Sequence, residues 1–228
     1  MKKVLIAGAS SGIGYAIAER LISAGDQVIS VSRNQPDLEI SAHLNYDVRS
    51  ALPLPPVDGP VDGLVYCPGS ITLKPFKSLK PQDFQADFEI NFLGAVRFIQ
   101  AYLPNLMASE NPSIVLFSSV AAGTGMNYHT SISASKAAIE GFVRSLAAEM
   151  APKLRVNAIA PSLVKTPMTV RLTDTDAKVS QSADRHPLKR IGAPEDIAGL
   201  ALFLLSVDAA WISGQIMHID GGLSSLKM

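Results

Sequence analysis

The stretch Val4-Leu5-Ile6-Ala7-Gly8-Ala9-Ser10-Ser11-Gly12-Ile13-Gly14 decides the fold. Four apolar residues, Val4 to Ala7, read as a short buried strand. Gly8, Gly12 and Gly14 follow with G-x-x-x-G-x-G spacing, and Tyr15 to Ala24 continues with helical periodicity. Strand, glycine turn and helix together form the arrangement that holds a dinucleotide pyrophosphate. The glycines allow a tight turn and close backbone approach, and the unpaired N–H groups at the helix start face the anion.

Beyond that unit, strand and helix signals alternate along the chain, which predicts an α/β, Rossmann-like, doubly wound parallel sheet of about seven strands with helices on both faces. Further strands are expected at Gln27 to Ser32, Val61 to Cys67, Ser113 to Phe117, Leu154 to Ile159 and Gly214 to Ile219, with a short apolar piece around Ile40 to Leu44. Long helices are expected over about Pro81 to Leu106 and Ser131 to Met150, with a last one opening at Pro194-Glu195-Asp196. The prolines of Leu52-Pro53-Leu54-Pro55-Pro56 argue against a helix in that crossover. Thr166 to His186, polar and weakly periodic, reads as a mobile, lid-like region. No linker or repeat divides residues 1–228, so one nucleotide-binding domain is expected.

Composition narrows the function. The chain has 228 residues, 47% of them hydrophobic, with a formal net charge of +0. No basic run gives nucleic acid or an anionic membrane surface an electrostatic hold. A single cysteine, Cys67, excludes an intrachain disulfide and a thiolate metal cluster, and the scattered His43, His186 and His218 show no metal spacing. The apolar run Ile197 to Val207 is too short to span a bilayer, and no secretory leader is legible before the first strand. A cytoplasmic protein without a metal is the expectation.

In these motifs the chain resembles the short-chain dehydrogenase/reductase superfamily, from Lys3 to about Ser225. Besides the glycine turn, Asp47-Val48 resembles the pair that contacts adenine. Asn91, Ser119 (in Ser118-Ser119) and Lys136 (in Ser135-Lys136-Ala137-Ala138) stand where the family keeps its catalytic asparagine, serine and lysine. Val156 to Pro161 followed by Thr166-Pro167-Met168 resembles the cofactor-gripping segment, and Asp220-Gly221-Gly222 the family's closing turn. The resemblance implies cofactor contacts from Gly8, Ser10, Ser11, Gly12, Ile13, Gly14, Ser32, Arg33, Asp47, Val48, Gly69, Lys136, Pro161, Val164 and Thr166. It also implies a small carbonyl or alcohol substrate and a homodimer or homotetramer.

One departure stands out. The family's Y-x-x-x-K places a tyrosine four residues before the lysine, and here that residue is Ile132. The spacing from Ser119 lands on Ile132 as well. Isoleucine neither gives nor takes a proton. Tyr128 and His129 precede it by four and three residues, and an early helix start would put both on its face as stand-in proton donors. Two readings stay open: a reductase with a relocated donor, or a dinucleotide-binding sensor or scaffold without fast chemistry. Cofactor choice is more legible. Strand two ends Val31-Ser32-Arg33, without the acid that would take a ribose 2′-hydroxyl, and a guanidinium there can pair with a 2′-phosphate. NADP(H) is therefore expected over NAD(H).

Overall fold

The computed structural model describes residues 1–227. Its elements in chain order are β1 (Lys3–Ala7), α1 (Gly12–Ser23), β2 (Gln27–Ser32), β3 (Ala42–Asn45), β4 (Gly63–Tyr66), α2 (Pro81–Phe88) and α3 (Gly94–Met107). There follow β5 (Ser113–Phe117), α4 (Val120–Gly123), α5 (Thr130–Met150), β6 (Arg155–Pro161), α6 (Val170–Thr173), α7 (Asp176–Asp184), α8 (Pro194–Leu204) and β7 (Ile216–Ile219). All seven strands are parallel and lie in the order β3-β2-β1-β4-β5-β6-β7. The order reverses between β1 and β4, where Leu5 pairs with Ile29 on one side and Leu64 on the other. A ligand crevice is expected outside the strand ends at such a point.

Central strands are covered on both faces, and β5 is buried at every position: Ile114 to Phe117 are apolar, and the Ser113 hydroxyl is satisfied by donating to Leu204 O at 2.9 Å. The two faces carry separate cores. On one, Phe98, Tyr102 and Leu106 of α3 and Ile139 and Val143 of α5 pack on Leu5, Leu64 and Leu116. On the other, Ile17 and Leu21 of α1 and Ile197 and Leu204 of α8 pack on Val4, Ile6 and Val115. The proline-rich crossover into β4 has no helix. Its carbonyls are satisfied from α3, by the Tyr102 hydroxyl on Pro55 O at 2.7 Å and by Asn105 Nδ2 on Val57 O and Gly59 O, each at 2.8 Å.

The helix expected over Pro81 to Leu106 is interrupted. Between α2 and α3 the residues Glu89–Leu93 form a π turn, closed by Gly94 N–H donating to Glu89 O. The side chain of Asn91 bonds Asp87 O at 2.8 Å, and the Tyr66 hydroxyl at the end of β4 donates to Ile90 O at 2.7 Å. Tyr66 thus pins the sheet to the turn that carries Asn91. Gly94 is obligatory here, since a Cβ would run into the Tyr66 hydroxyl and ring. Gly94→Ala is expected to cost about 1–3 kcal/mol, as overpacking of a buried site does, and to lower the melting temperature by roughly 2–10 °C in a thermal melt.

The segment expected to be a mobile lid is built of short helical pieces, Pro167–Thr169, α6 and α7. It is fastened at its far end by buried His186, whose Nδ1 lies 2.7 Å from Ser182 O and whose Nε2 lies 2.8 Å from Ser162 Oγ. A carbonyl can only accept, so Nδ1 carries a proton and, in the neutral ring, Nε2 accepts from Ser162. The histidine is structural, as its sequence position implied.

Candidate active site

The strand ends at the switch point open into a cleft of about 400 Å³. At one end lies the glycine turn. Gly8 and Gly12 have φ of +79° and +58°, in the left-handed region that side chains disfavour. A Cβ on Gly14 would collide with the Gly8 carbonyl, so the turn closes only on glycine. Ser11 precedes α1 without a side-chain cap, and the first turn of α1 holds no acid. The helix therefore presents uncapped N–H groups and the positive end of its dipole to the cleft. A pyrophosphate fits that cradle.

Farther along, Ser32, Arg33, Asp47, Val48 and Arg49 line the cleft at the ends of β2 and β3. Arg49 grips Asp47 through Nε–Oδ1 at 3.1 Å and Nη2–Oδ2 at 2.7 Å, which holds that carboxyl down at about 2. The hydroxyl of Ser32 is used locally, donating to Asn34 O at 2.8 Å. Exposed Arg33, by contrast, forms no ion pair among the described residues. No local pattern in the sequence marks Arg49, because its approach to Asp47 and the cleft depends on the turn after β3.

At the other end Ser119, Asn91, Lys136 and Ile132 meet. Ser119 follows β5 and caps α4, its oxygen accepting from Ala121 N at 3.2 Å, which leaves its hydroxyl proton available. Asn91 and Lys136 converge above Gly69: Asn91 Oδ1 and Lys136 Nζ come within 3.0 and 3.9 Å of the point where a Gly69 side chain would begin. Lys136 Nζ donates to Phe117 O at 2.8 Å. Burial pushes this amine down to about 8, partly opposed by the Asp87 carboxylate, which favours its charge. Ile132, one helical turn before Lys136, is 4% exposed and forms part of the wall.

Behind this cluster sits a feature that sequence inspection missed. Asp87, 1% exposed, accepts from Ser70 Oγ (2.7 Å), Thr72 Oγ1 (3.1 Å) and Ser131 Oγ (2.7 Å). Asn91 Nδ2 also lies 3.0 Å from Ser70 Oγ. Asp87 precedes Asn91 by four residues, so a polar residue one turn before a site residue was the available signal.

Every residue expected to hold a cofactor, from Gly8 to Thr166, lines this one cleft. Tyr128 and His129 do not. Tyr128 has φ +69° in a turn, is exposed, and precedes the helix, which begins only at Thr130. The helical projection that would bring the pair onto the Ile132 face therefore does not apply. The Nδ1 of His129 is engaged locally, 2.7 Å from Asn127 O. Half-buried Cys67 lines the cleft, its thiol pushed up to about 12 by desolvation, and so packs as a small apolar group. No group of three or more metal-ligating side chains occurs among the described residues, and no helix there is long and apolar enough to cross a membrane.

A glycine-cradled switch-point cleft holding serine, asparagine and lysine defines a Rossmann-type oxidoreductase. The family model described as Enoyl-(Acyl carrier protein) reductase matches residues 56–224. A short-chain reductase, NovJ of Streptomyces niveus, is 32% identical over 96% of this chain and 92% of its own. Among solved structures, the aldohexose dehydrogenase of Thermoplasma acidophilum superposes with a TM-score of 0.90 at 29% identity, covering 100% of this chain and 96% of that one. A gluconate 5-dehydrogenase from Burkholderia cenocepacia, solved with NADP and tartrate, gives 0.88 at 25% identity, covering 99% and 96%. The chain belongs to the short-chain dehydrogenase/reductase superfamily, whose NAD(P)-binding Rossmann fold it has.

Proposed function

We propose that this protein is an NADP(H)-dependent oxidoreductase that moves a hydride to or from a small carbonyl or alcohol, with a proton donor other than the side chain at position 132. The observation that carries the cofactor choice is Arg33, an uncommitted guanidinium where β2 ends without a carboxylate. Bidentate pairing with a 2′-phosphate is the use such a group fits. The α1 N-terminus and the glycine turn would hold the pyrophosphate, and Lys136, Pro161, Val164 and Thr166 would hold the nicotinamide half. When bound, the dinucleotide supplies or accepts the hydride. Ser119 is placed to hydrogen-bond the substrate oxygen, and Asn91 with Lys136 fixes the polar wall beside it. A cytoplasmic homo-oligomer is the setting proposed, with Trp211 (99% exposed) and Val207 (69%) available as contact surface.

Fluorescence titration tests the cofactor assignment. Arg33→Ala is expected to weaken NADPH by roughly 10–100-fold, the loss of a charge-assisted pair, while changing NADH by less than about 3-fold. Equal losses for both nucleotides would overturn it. For turnover, NADPH oxidation is followed across a panel of small ketones and aldehydes, with Ser119→Ala expected to suppress it. Ile132 supports a second reading, a binder without turnover. Tight NADPH binding with no oxidation across the panel would establish that reading.

A further inference from the structure

We propose that Lys136 itself delivers the proton to the substrate oxygen, across the face of α5 where Ile132 stands in place of a hydroxyl-bearing residue. This rests on the reductase reading given above.

The proposal begins with position. Lys136 and Ile132 are four residues apart on α5, so they share a face one turn apart, about 6 Å along the axis. Both line the cleft with Ser119. An isoleucine ends well short of where a phenol oxygen would, so the wall between the lysine and Ser119 is low and apolar. The ammonium has three protons, and one is committed to Phe117 O at the end of β5. The others are left for the cleft, where Nζ lies beside Gly69 and Asn91 Oδ1.

Elimination points the same way. The other titratable cleft residues are Arg33, Tyr46, Asp47, Arg49 and Cys67. The two arginines and Asp47 belong to the adenosine end, and guanidinium does not give up its proton. Tyr46 donates its one hydroxyl proton to Leu52 O at 2.7 Å, with Ser50 O 3.2 Å away. Cys67 is a desolvated thiol that holds its proton up to about 12. Lys136, with its amine lowered to about 8, titrates near the pH at which the protein would work, as an efficient general acid does. The charged and titratable groups facing it are Cys67 after β4 and Asp87 on α2. Glu140, one turn farther along α5, is engaged by Ser118 Oγ at 2.8 Å.

The step balances. The carbonyl carbon receives the hydride that the reduced nicotinamide carries, and the C=O π pair moves onto oxygen. A proton passes from Nζ to that oxygen, giving the alcohol, the oxidised dinucleotide and a neutral amine that solvent reprotonates. Reduction therefore needs Lys136 protonated and slows as pH rises through about 8.

The test compares wild type, Lys136→Arg and Ile132→Tyr. Arginine keeps the positive charge and cannot release a proton, so it separates charge from acid catalysis. The expected result is turnover in wild type that declines above pH about 8, and a loss of ~10²–10⁴-fold in Lys136→Arg. An NMR titration of cofactor-free protein should show an amine titrating near pH 8 that is absent from Lys136→Arg. Lys136→Arg turning over like wild type, with the same pH profile, would overturn the proposal. So would a wild type that is inert while Ile132→Tyr reduces carbonyls, an outcome that keeps the site a reductase scaffold but denies the lysine its role. If neither wild type nor Ile132→Tyr oxidises NADPH although both bind it, the reductase reading itself fails.

Discussion

Gly14→Ala is expected to weaken NADPH binding by at least roughly 10–100-fold, measured by fluorescence titration. The added Cβ would press on the Gly8 carbonyl, which is backbone and cannot swing aside. Either Gly8 leaves its bond from its own N–H to Val31 O at 3.0 Å, or the first turn of α1 is displaced. Both movements pull N–H donors off the anion position, and charge-assisted bonds of this kind contribute about 1.5–3 kcal/mol each. Buried crowding adds about 1–3 kcal/mol against the fold. A variant that melts lower yet binds NADPH as wild type does would show that this turn is a packing feature and not a phosphate cradle.

Asp87→Ala is the second large effect, and it acts on the fold and the site together. Ser70 and Ser131 both spend their hydroxyl protons on this carboxylate at 2.7 Å, and Asp87 and Ser131 are fully enclosed. Removing the acceptor strands those donors at about 1–3 kcal/mol each, so a loss of about 3 kcal/mol and a melting point lower by roughly 10 °C are expected. Ser70 also holds Asn91 Nδ2 at 3.0 Å, so the asparagine loses its bearing as well and turnover should fall with stability. Asp87→Asn, which keeps one acceptor oxygen, should recover part of both. An unchanged melting curve for Asp87→Ala would show that water replaces the carboxylate without cost.

These two variants probe different kinds of information. The consequence of altering Gly14 is legible in G-x-x-x-G-x-G after four apolar residues, because a tight strand–helix turn is local and its chemistry is carried by adjacent residues. The same locality made the strand segments and the Pro194 start of α8 readable, since each depends on short-range pattern. The order of the strands in the sheet, by contrast, joins distant segments, and the cofactor-contact residues were implied by the family resemblance. The absence of a hydroxyl at position 132 was likewise a matter of counting four residues back from Lys136. The Asp87 cluster was not legible. Its partners Ser70, Thr72 and Ser131 lie 15 to 44 residues away in the chain, and nothing local marks them as neighbours.

The amino-acid sequence alone thus determined the doubly wound sheet and the glycine turn, because short apolar runs, helical periodicity and glycine spacing act over a few residues. The residues at the rim of the cleft followed from the family resemblance. Only the tertiary structure decided what surrounds Ile132. It set Tyr128 and His129 in a turn ahead of α5, outside the cleft, through a positive φ that no pattern announces. It placed Asn91 on a π turn held by Tyr66 and enclosed the Lys136 ammonium against Phe117, Cys67 and Asp87. Those relations join β4, α2, β5 and α5, and proton affinity depends on the burial and charge that such distant elements bring together.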